Sequence, residues 1–342
     1  MRLVSFIFPI YNEEGNIDEL YSQMSQLVEG QPFRSEFIFI NDGSKDSSLT
    51  KLLALHEQDE RVVIINLSRN WGHQLAVTAG LDYADGDAVV IMDSDLQDPP
   101  EVALELIEKW QTGEYDVVYA QRRTRQDSAF KKFTATMFYR VLHSISNVDI
   151  PRNTGDFRLL DKRVVVELRK YREHDRFLRG MVSYIGFRQV AVQFDRHARH
   201  AGATGYPLKK MIRFATDGII GFSDAPLRLI SKIGTVVSLA SLIGIIYALL
   251  RKFLSPQEVV NGWTFTIITI MFFSGAQMIM LGIIGSYLAR IYSQVKGRPL
   301  YEISTIASRG GATVHASSAY RSDTESNPPS PIPHYSNLKD TP

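Results

Sequence analysis

Short apolar runs alternate along the first two hundred residues with segments whose apolar positions recur three and four apart. The runs predict buried strands at Leu3–Phe8, Glu36–Ile40, Val62–Asn66, Ala88–Met92 and Asp116–Ala120. The helical spacing predicts helices near Ile17–Val28, Ser48–His56, Gln74–Tyr83 and Glu101–Trp110. Strict alternation of the two implies an α/β fold: a Rossmann-like, mostly parallel sheet with helices on both faces. Ligands of such sheets bind outside the carboxyl ends of the strands. No Gly-x-Gly-x-x-Gly follows the first strand, which disfavours a dinucleotide site.

Past residue 226 the pattern changes. Ile230–Leu250 is apolar apart from Ser231 and Lys232 near its start, and Trp263–Ala289 carries no charged side chain. Each is long enough to cross a hydrocarbon core, which takes about 20 helical residues. Lys209, Lys210, Arg213, Arg228 and Lys232 precede the first predicted span, and Arg290, Lys296 and Arg298 follow the second. The positive-inside rule then places both termini in the cytoplasm. From 208 to 222, Leu208, Met211, Ile212, Ala215, Ile219 and Phe222 recur at helical spacing beside basic residues, the pattern of an interfacial helix. Beyond Ser304 the chain is rich in Ser, Thr, Pro and Asn, and is expected to be a disordered tail. The expected organisation is a cytoplasmic domain over 1–206, an amphipathic helix over 207–226, a two-span hairpin over 227–303 (spans 230–250 and 263–289) and a tail over 304–342.

Composition narrows the chemistry. Lys and Arg number 38 against 37 Asp and Glu, so no global field points to nucleic acid. The absence of cysteine excludes disulfides, thiolate metal sites and a cysteine nucleophile. The apolar N-terminus is too short for a signal peptide and runs into Tyr11-Asn12-Glu13-Glu14, so it reads as the first strand.

Three predicted strands end in polar loops: Pro9-Ile10-Tyr11-Asn12-Glu13-Glu14, Asn41-Asp42-Gly43-Ser44-Lys45-Asp46 and Asp93-Ser94-Asp95-Leu96-Gln97-Asp98-Pro99-Pro100. Two carboxylates one residue apart at a strand end suit Mg²⁺ or Mn²⁺, which use one or two carboxylates plus substrate phosphates. Alone, such a pair reads equally well as an acidic turn with Asp as helix cap. Together, the three loops suggest a nucleoside diphosphate site.

With Gly155-Asp156-Phe157-Arg158-Leu159-Leu160, Arg176-Phe177-Leu178-Arg179-Gly180 and the helix ending at residues 281–292, these motifs resemble the family 2 glycosyltransferases. Within them the chain is similar to the polyprenyl-phosphate glycosyltransferases, a group that includes bactoprenol glucosyltransferases and dolichol-phosphate mannose synthases. The resemblance covers residues 4–301 and implies a GT-A-type fold. It further implies inverting transfer of a hexose from a nucleotide-sugar donor to a polyprenyl phosphate at the cytoplasmic face of the inner cell membrane. UDP-glucose and undecaprenyl phosphate come first among the substrates; GDP-mannose and UDP-amino sugars remain alternatives, and a homo-oligomer stays open. Residue by residue, it assigns Asp95, Gln97 and Asp93 to a Mg²⁺ or Mn²⁺ ion. Pro9, Tyr11, Glu13, Ile40, Asp42, Asp93 and Ser94 fall to the nucleotide. Arg122, Lys131, Arg158, Arg179 and Arg199 fall to the acceptor phosphate, with Lys132 and Arg176 as further cations. Asp156 is the candidate base, or else an orienting group, because a phosphate monoester is already largely anionic at neutral pH.

The chain also departs from the family pattern. Gly202-Ala203-Thr204-Gly205-Tyr206 lacks the family's lysine, and Ser286 stands where glutamate is usual. A processive polysaccharide synthase is disfavoured because Gln-x-x-Arg-Trp is missing. A catalytically silent sugar-nucleotide-binding scaffold is disfavoured by the complete motifs, and a flippase by having only two predicted spans.

Overall fold

The computed structural model describes residues 1–123, 151, 154–195, 227, 230, 232–237, 239, 243, 246, 263–308 and 313–315. In chain order its elements are β1 (Leu3–Ile10), α1 (Ile17–Val28), β2 (Arg34–Asn41), α2 (Ser48–Gln58), β3 (Val62–Leu67), α3 (His73–Tyr83), β4 (Ala88–Ile91) and α4 (Glu101–Gln111). There follow β5 (Val117–Arg122), β6 (Thr154–Asp161), α5 (Lys162–Lys170), α6 (Leu178–Ile185), β7 (Gln189–Phe194), α7 (Trp263–Val295), β8 (Ile303–Ala307) and β9 (Thr313–His315). The strands form one sheet in the order β7-β5-β6-β4-β1-β2-β3-β8-β9.

The centre of the sheet is parallel: β1 lies between β2 and β4, and β2 pairs with β3. Its strands are buried on both faces, which is why they read as unbroken apolar runs. Phe6, Phe8, Phe37 and Phe39 point to one face and pack with Leu20, Met24, Leu52 and Leu106 from α1, α2 and α4. Ile7, Ile38 and Ile40 point to the other and pack with Ala76 and Ala79 of α3. Gly80 lets α3 lie close to the sheet, since a Cβ there would come within 2.7 Å of Ile7 Cγ2 and 2.8 Å of Ile40 Cδ1. That contact brings the N-terminus of α3 to the strand ends.

The flanks depart from the simple alternation. Strand β6 enters antiparallel between β4 and β5, while β8 adds antiparallel to β3 and β9 to β8. The sheet is therefore mixed. Residues 304–307 and 313–315 correct the expected disordered tail at those positions: Ser304 to Ala307, in β8, and β9 extend the sheet from a part of the chain that composition alone marks as a tail. The domain is accordingly discontinuous, its last strands arriving from beyond α7.

Helix α7 begins at Trp263, as expected, and continues past Ala289 to Val295. Its segment Phe272–Val295 is long and apolar enough to cross a membrane, and none of it is buried. Ser286, where the family glutamate is missing, returns its hydroxyl to Gly282 C=O within the helix at 2.9 Å. This is one candidate span. Of the first predicted span, residues 230, 232–237, 239, 243 and 246 are helical, with Val236 and Ile243 largely exposed; the rest of it, and the interfacial helix over 207–226, lie outside the described residues.

Candidate active site

A cleft of about 760 Å³ opens at the carboxyl edge of the central strands, within the range of small-ligand sites. One wall is formed by the ends of β1 and β4, with Pro9, Tyr11, Glu13, Asp93, Ser94 and Asp95. Ser94 Oγ donates to Pro9 C=O at 3.1 Å and ties the two strand ends together. After Asp95 the chain turns through Leu96 at φ 55°. A positive φ is uncommon for a bulky residue and costs about 1–2 kcal/mol. It directs Leu96 onto the hydrophobic core while Asp95 stays at the cleft. Asp95 Oδ1 accepts from Gln97 N–H at 3.2 Å.

The opposite wall comes from distant pieces of chain: the N-terminus of α3, the start of β6, and residues 174–179. Because β6 runs antiparallel with Ile91 opposite Arg158, two further residues bring Asp156 across from Asp93. His73 stands between them, its Nε2 3.0 Å from Asp156 Oδ2 and 3.7 Å from Asp93 Oδ1. Gln74 Nε2 donates to Asp156 Oδ2 at 2.9 Å, and Arg179 Nε donates to Asp156 Oδ1 at 2.9 Å. Arg179 Nη1 also donates to Thr154 C=O at 2.8 Å, and Gln74 Oε1 accepts from Leu178 N–H at 2.9 Å.

These contacts give the two aspartates opposite electrostatics. Burial pushes the Asp93 carboxyl up to about 6; His73 opposes this, while the charges of Asp156, Asp98 and Asp95 add to it. Burial also acts on Asp156, but the His73 bond and the Arg179 and Arg158 charges outweigh it and hold this carboxyl well below the usual range. For His73, burial lowers the pKa, but the Asp156 bond and the charges of Asp93 and Asp156 win and raise it.

Comparison with known proteins identifies the family. The model of the family "Glycosyl transferase family 2" matches residues 5–169. Over 298 residues the chain is 47% identical to the uncharacterized glycosyltransferase YkcC of Bacillus subtilis, covering 87% of this chain and 92% of that one. The chain belongs to the family 2 glycosyltransferases. It is also 38% identical over 301 residues to the bactoprenol glucosyl transferase of Shigella phage SfII, covering 88% and 97% of the two chains. Glucosyl-3-phosphoglycerate synthase of Mycobacterium tuberculosis, solved with Mn²⁺, UDP-glucose and phosphoglyceric acid, aligns over 64% of this chain and 78% of its own, at 20% identity and a TM-score of 0.43.

The glycosyltransferase brings only part of its expected site residues to the cleft. Pro9, Tyr11, Glu13, Asp93, Ser94, Asp95, Asp156 and Arg179 line it. Ile40 is fully buried beside Gly80. Asp42 is 2% exposed and turned inward, accepting from Trp71 N–H at 2.6 Å and Gly72 N–H at 2.9 Å, so it shapes the turn that launches α3. Gly43, at φ 64°, fits against that turn, where a Cβ would meet Arg69 C at 2.4 Å. Gln97 is buried behind the acidic turn. Arg158 is 4% exposed and donates to Gly155 C=O at 3.0 Å; burial depresses its pKa to about 10 against the charge of Asp156. Arg122 Nη2 lies 3.9 Å from Asp98 Oδ1. None of these five side chains is part of the cleft wall. Lys131, Lys132 and Arg199 lie outside the described residues.

His73, Gln74 and His174 belong to the cleft without having been anticipated. A signal existed for the first two: Gly72 ends the loop after β3 and His73-Gln74 open α3, at the same sheet edge as the three loops that were considered. For His174 there was none, because its segment follows a helix and not a strand.

Asp93 and Asp95 can hold a divalent ion. Among the described residues no group of three or more His, Asp or Glu could hold a metal ion by itself; Mg²⁺ commonly uses one or two carboxylates plus substrate phosphates. Burial raises the Asp93 carboxyl and the neighbouring carboxylates add to it, a condition that a bound cation relieves. Oxygen donors of this kind fit Mg²⁺ or Mn²⁺.

Proposed function

We propose that this glycosyltransferase transfers a hexose, with UDP-glucose as the first-choice donor, to a polyprenyl phosphate of the undecaprenyl type, with inversion. The observation that carries the reading is the two-sided cleft. An acidic strand end faces a wall with Arg176, Arg179 and His73, and an apolar helix docks on the second wall. The likeness to bactoprenol glucosyl transferases over nearly their whole length supports the acceptor and the sugar.

The donor nucleotide lies along Pro9, Tyr11, Glu13 and Ser94, with its diphosphate at Asp93 and Asp95. Bound there, Mg²⁺ or Mn²⁺ supplies charge neutralisation for the departing nucleoside diphosphate. An oxygen of the acceptor phosphate forms the new bond to the anomeric carbon as the bond to the donor's β-phosphate oxygen breaks. The second pKa of a phosphate monoester is near 6, so this oxygen is anionic at neutral pH and needs no strong base. Asp156 suits that requirement as an orienting group. A carboxylate held ionised by His73, Gln74 and Arg179 is a poor proton acceptor, but it fixes Arg179 for the incoming phosphate. The apolar stretch of α7 serves as an anchor in the inner membrane. The return of the chain from α7 to β8 supports placing the end of α7 on the same, cytoplasmic, side as the catalytic sheet.

The test is transfer of radiolabelled sugar to undecaprenyl phosphate by the full chain, using a panel of UDP- and GDP-sugars with and without Mn²⁺. Lipid-linked glucose from UDP-glucose is expected. The reading fails if no donor yields a lipid-linked product.

A further inference from the structure

Helix α7 has 33 residues, a length of about 50 Å at 1.5 Å per residue. A hydrocarbon core of about 30 Å takes only about 20 of them. The helix is thus longer than the core requires, and its C-terminal turns meet the segment between α5 and α6. Gln294 clasps that segment from both sides: its Nε2 donates to Arg172 C=O at 3.0 Å and its Oε1 accepts from His174 N–H at 3.1 Å. One turn earlier, Arg290 Nη1 lies 3.0 Å from Asp175 Oδ2. The far side of the segment is held by Arg172, whose Nη1 donates to both oxygens of Asp82 on α3 at 2.9 and 2.8 Å.

The clasped residues are the ones that reach the cleft. His174, Asp175 and Arg176 all line it. Arg176 is 8% exposed, and its guanidinium donates through Nη1 to Tyr171 C=O. Its Nε is buried with no hydrogen-bond partner among the described residues. A buried cation with an unused donor at a cleft wall is a place for an anion, since an unpaired charge there is costly. Asp175 is the one acidic member of the segment at the wall, and it would repel an anion unless Arg290 neutralised it.

The geometry points to residues 172–176 as a phosphate-gripping lip whose position and charge are set by the end of the apolar helix: Arg176 holds the acceptor phosphate, Gln294 positions the backbone that carries it, and Arg290 masks Asp175. This rests on the polyprenyl-phosphate reading above and deepens it. Gln294 and Arg290 are positioning residues. Neither lines the cleft, yet both act on the acceptor side. The wall that binds the lipid's phosphate is thereby registered to the helix end that marks the membrane surface, and the donor wall is not.

The test uses the full chain in lipid nanodiscs. Initial rates are measured against polyprenyl phosphate at saturating donor, and donor-nucleotide binding is measured separately without acceptor. Gln294→Glu keeps an acceptor for His174 N–H but loses the donor to Arg172 C=O. It is expected to raise the acceptor KM about tenfold, the scale of one lost well-placed polar contact, with donor affinity unchanged. Arg176→Lys should raise the acceptor KM at least as much. Arg290→Ala should raise it several-fold, and adding Asp175→Asn should restore it, because the repelling charge is then gone. Equal losses of donor and acceptor affinity in Gln294→Glu, or no rescue of Arg290→Ala by Asp175→Asn, would overturn the inference. Loss of the parent reading is seen separately, as absence of lipid-linked product from the unaltered chain.

Discussion

Asp93 and Asp156 face each other across one cleft, and their surroundings treat them in opposite ways. Asp93 follows a parallel strand, where burial, with some help from other carboxylates, pushes it up to about 6. Asp156 begins an antiparallel strand, receives bonds from Gln74 and Arg179, meets His73 at 3.0 Å, and is held ionised far below the usual range. The wall of Asp93 is crowded with carboxylates, and on the proposed function a cation bound with the donor would complete it. The wall of Asp156 is complete in itself and presents cations to an incoming anion. A site that must gather a nucleotide, a metal ion and a second phosphate gains from this division, because each ligand brings the charge that its own wall lacks.

The contrast breaks hardest at the acidic wall. Asp95→Asn is expected to lower transfer by about a thousandfold, the upper range for removing one preorganised electrostatic contact at a reacting centre, and to weaken Mn²⁺-dependent donor binding in titration calorimetry. On the other wall, Arg179→Ala should lower kcat/KM for the lipid phosphate by about a hundredfold, since a charged group bonded to Asp156 and proposed to meet the acceptor is lost. Donor affinity should hold. Arg179→Lys should recover little, because a lysine cannot reproduce the bonds from Nε to Asp156 and from Nη1 to Thr154. Gln74→Leu, which frees Asp156 and Leu178 together, should reduce kcat about tenfold with small change in donor binding. Steady-state kinetics with separate donor-binding measurements resolve these cases.

Stability gives a quieter version of the same comparison. A carboxyl raised in the folded state opposes folding once it ionises. The penalty from Asp93 is absent below about pH 4, its unfolded value, grows as pH rises toward about 6, and is full above that. Asp93→Asn should therefore raise the Tm of the metal-free protein at pH 7 and change it little near pH 4, even though it reduces activity. Asp156 has the opposite sign. Its contribution is present above about pH 4 and is lost only as pH falls through its depressed folded value, so Asp156→Asn should lower Tm at pH 7. The smallest effect is expected away from both walls. Gly80→Ala places a methyl against Ile7 and Ile40 and should destabilise by about 1–3 kcal/mol, read as a lower urea midpoint, with a loss of rate only insofar as the N-terminus of α3 is displaced.

How far the sequence alone reached also differs between the walls. The acidic wall was legible because its residues follow one another directly at the ends of apolar runs: Pro9 to Glu13 at the end of β1, and Asp93 to Asp95 after β4. Ile40 and Asp42, which the family resemblance assigned to the nucleotide, have side chains turned into the core and into a neighbouring loop. The cationic wall was less legible. Arg158 was expected there, but β6 is buried on both faces around it, while Asp156, nearer the start of the strand, lines the cleft. Arg176 was one of several cations with nothing in the local pattern to rank it.

Apolar periodicity by itself determined the parallel centre of the sheet, the helices that cover it and the start of the long apolar helix, because burial on two faces leaves its mark on consecutive residues. Adjacent motifs likewise determined the acidic turn and, through the family resemblance, the chemistry. Tertiary structure alone decided which side chains stand across from Asp93, that β6 and β8 enter antiparallel, and that Gln294 reaches back over a hundred residues to hold Arg172 and His174. These are pairings between segments far apart in the chain, and no local pattern of hydrophobic and polar positions encodes a partner that the chain meets only when folded.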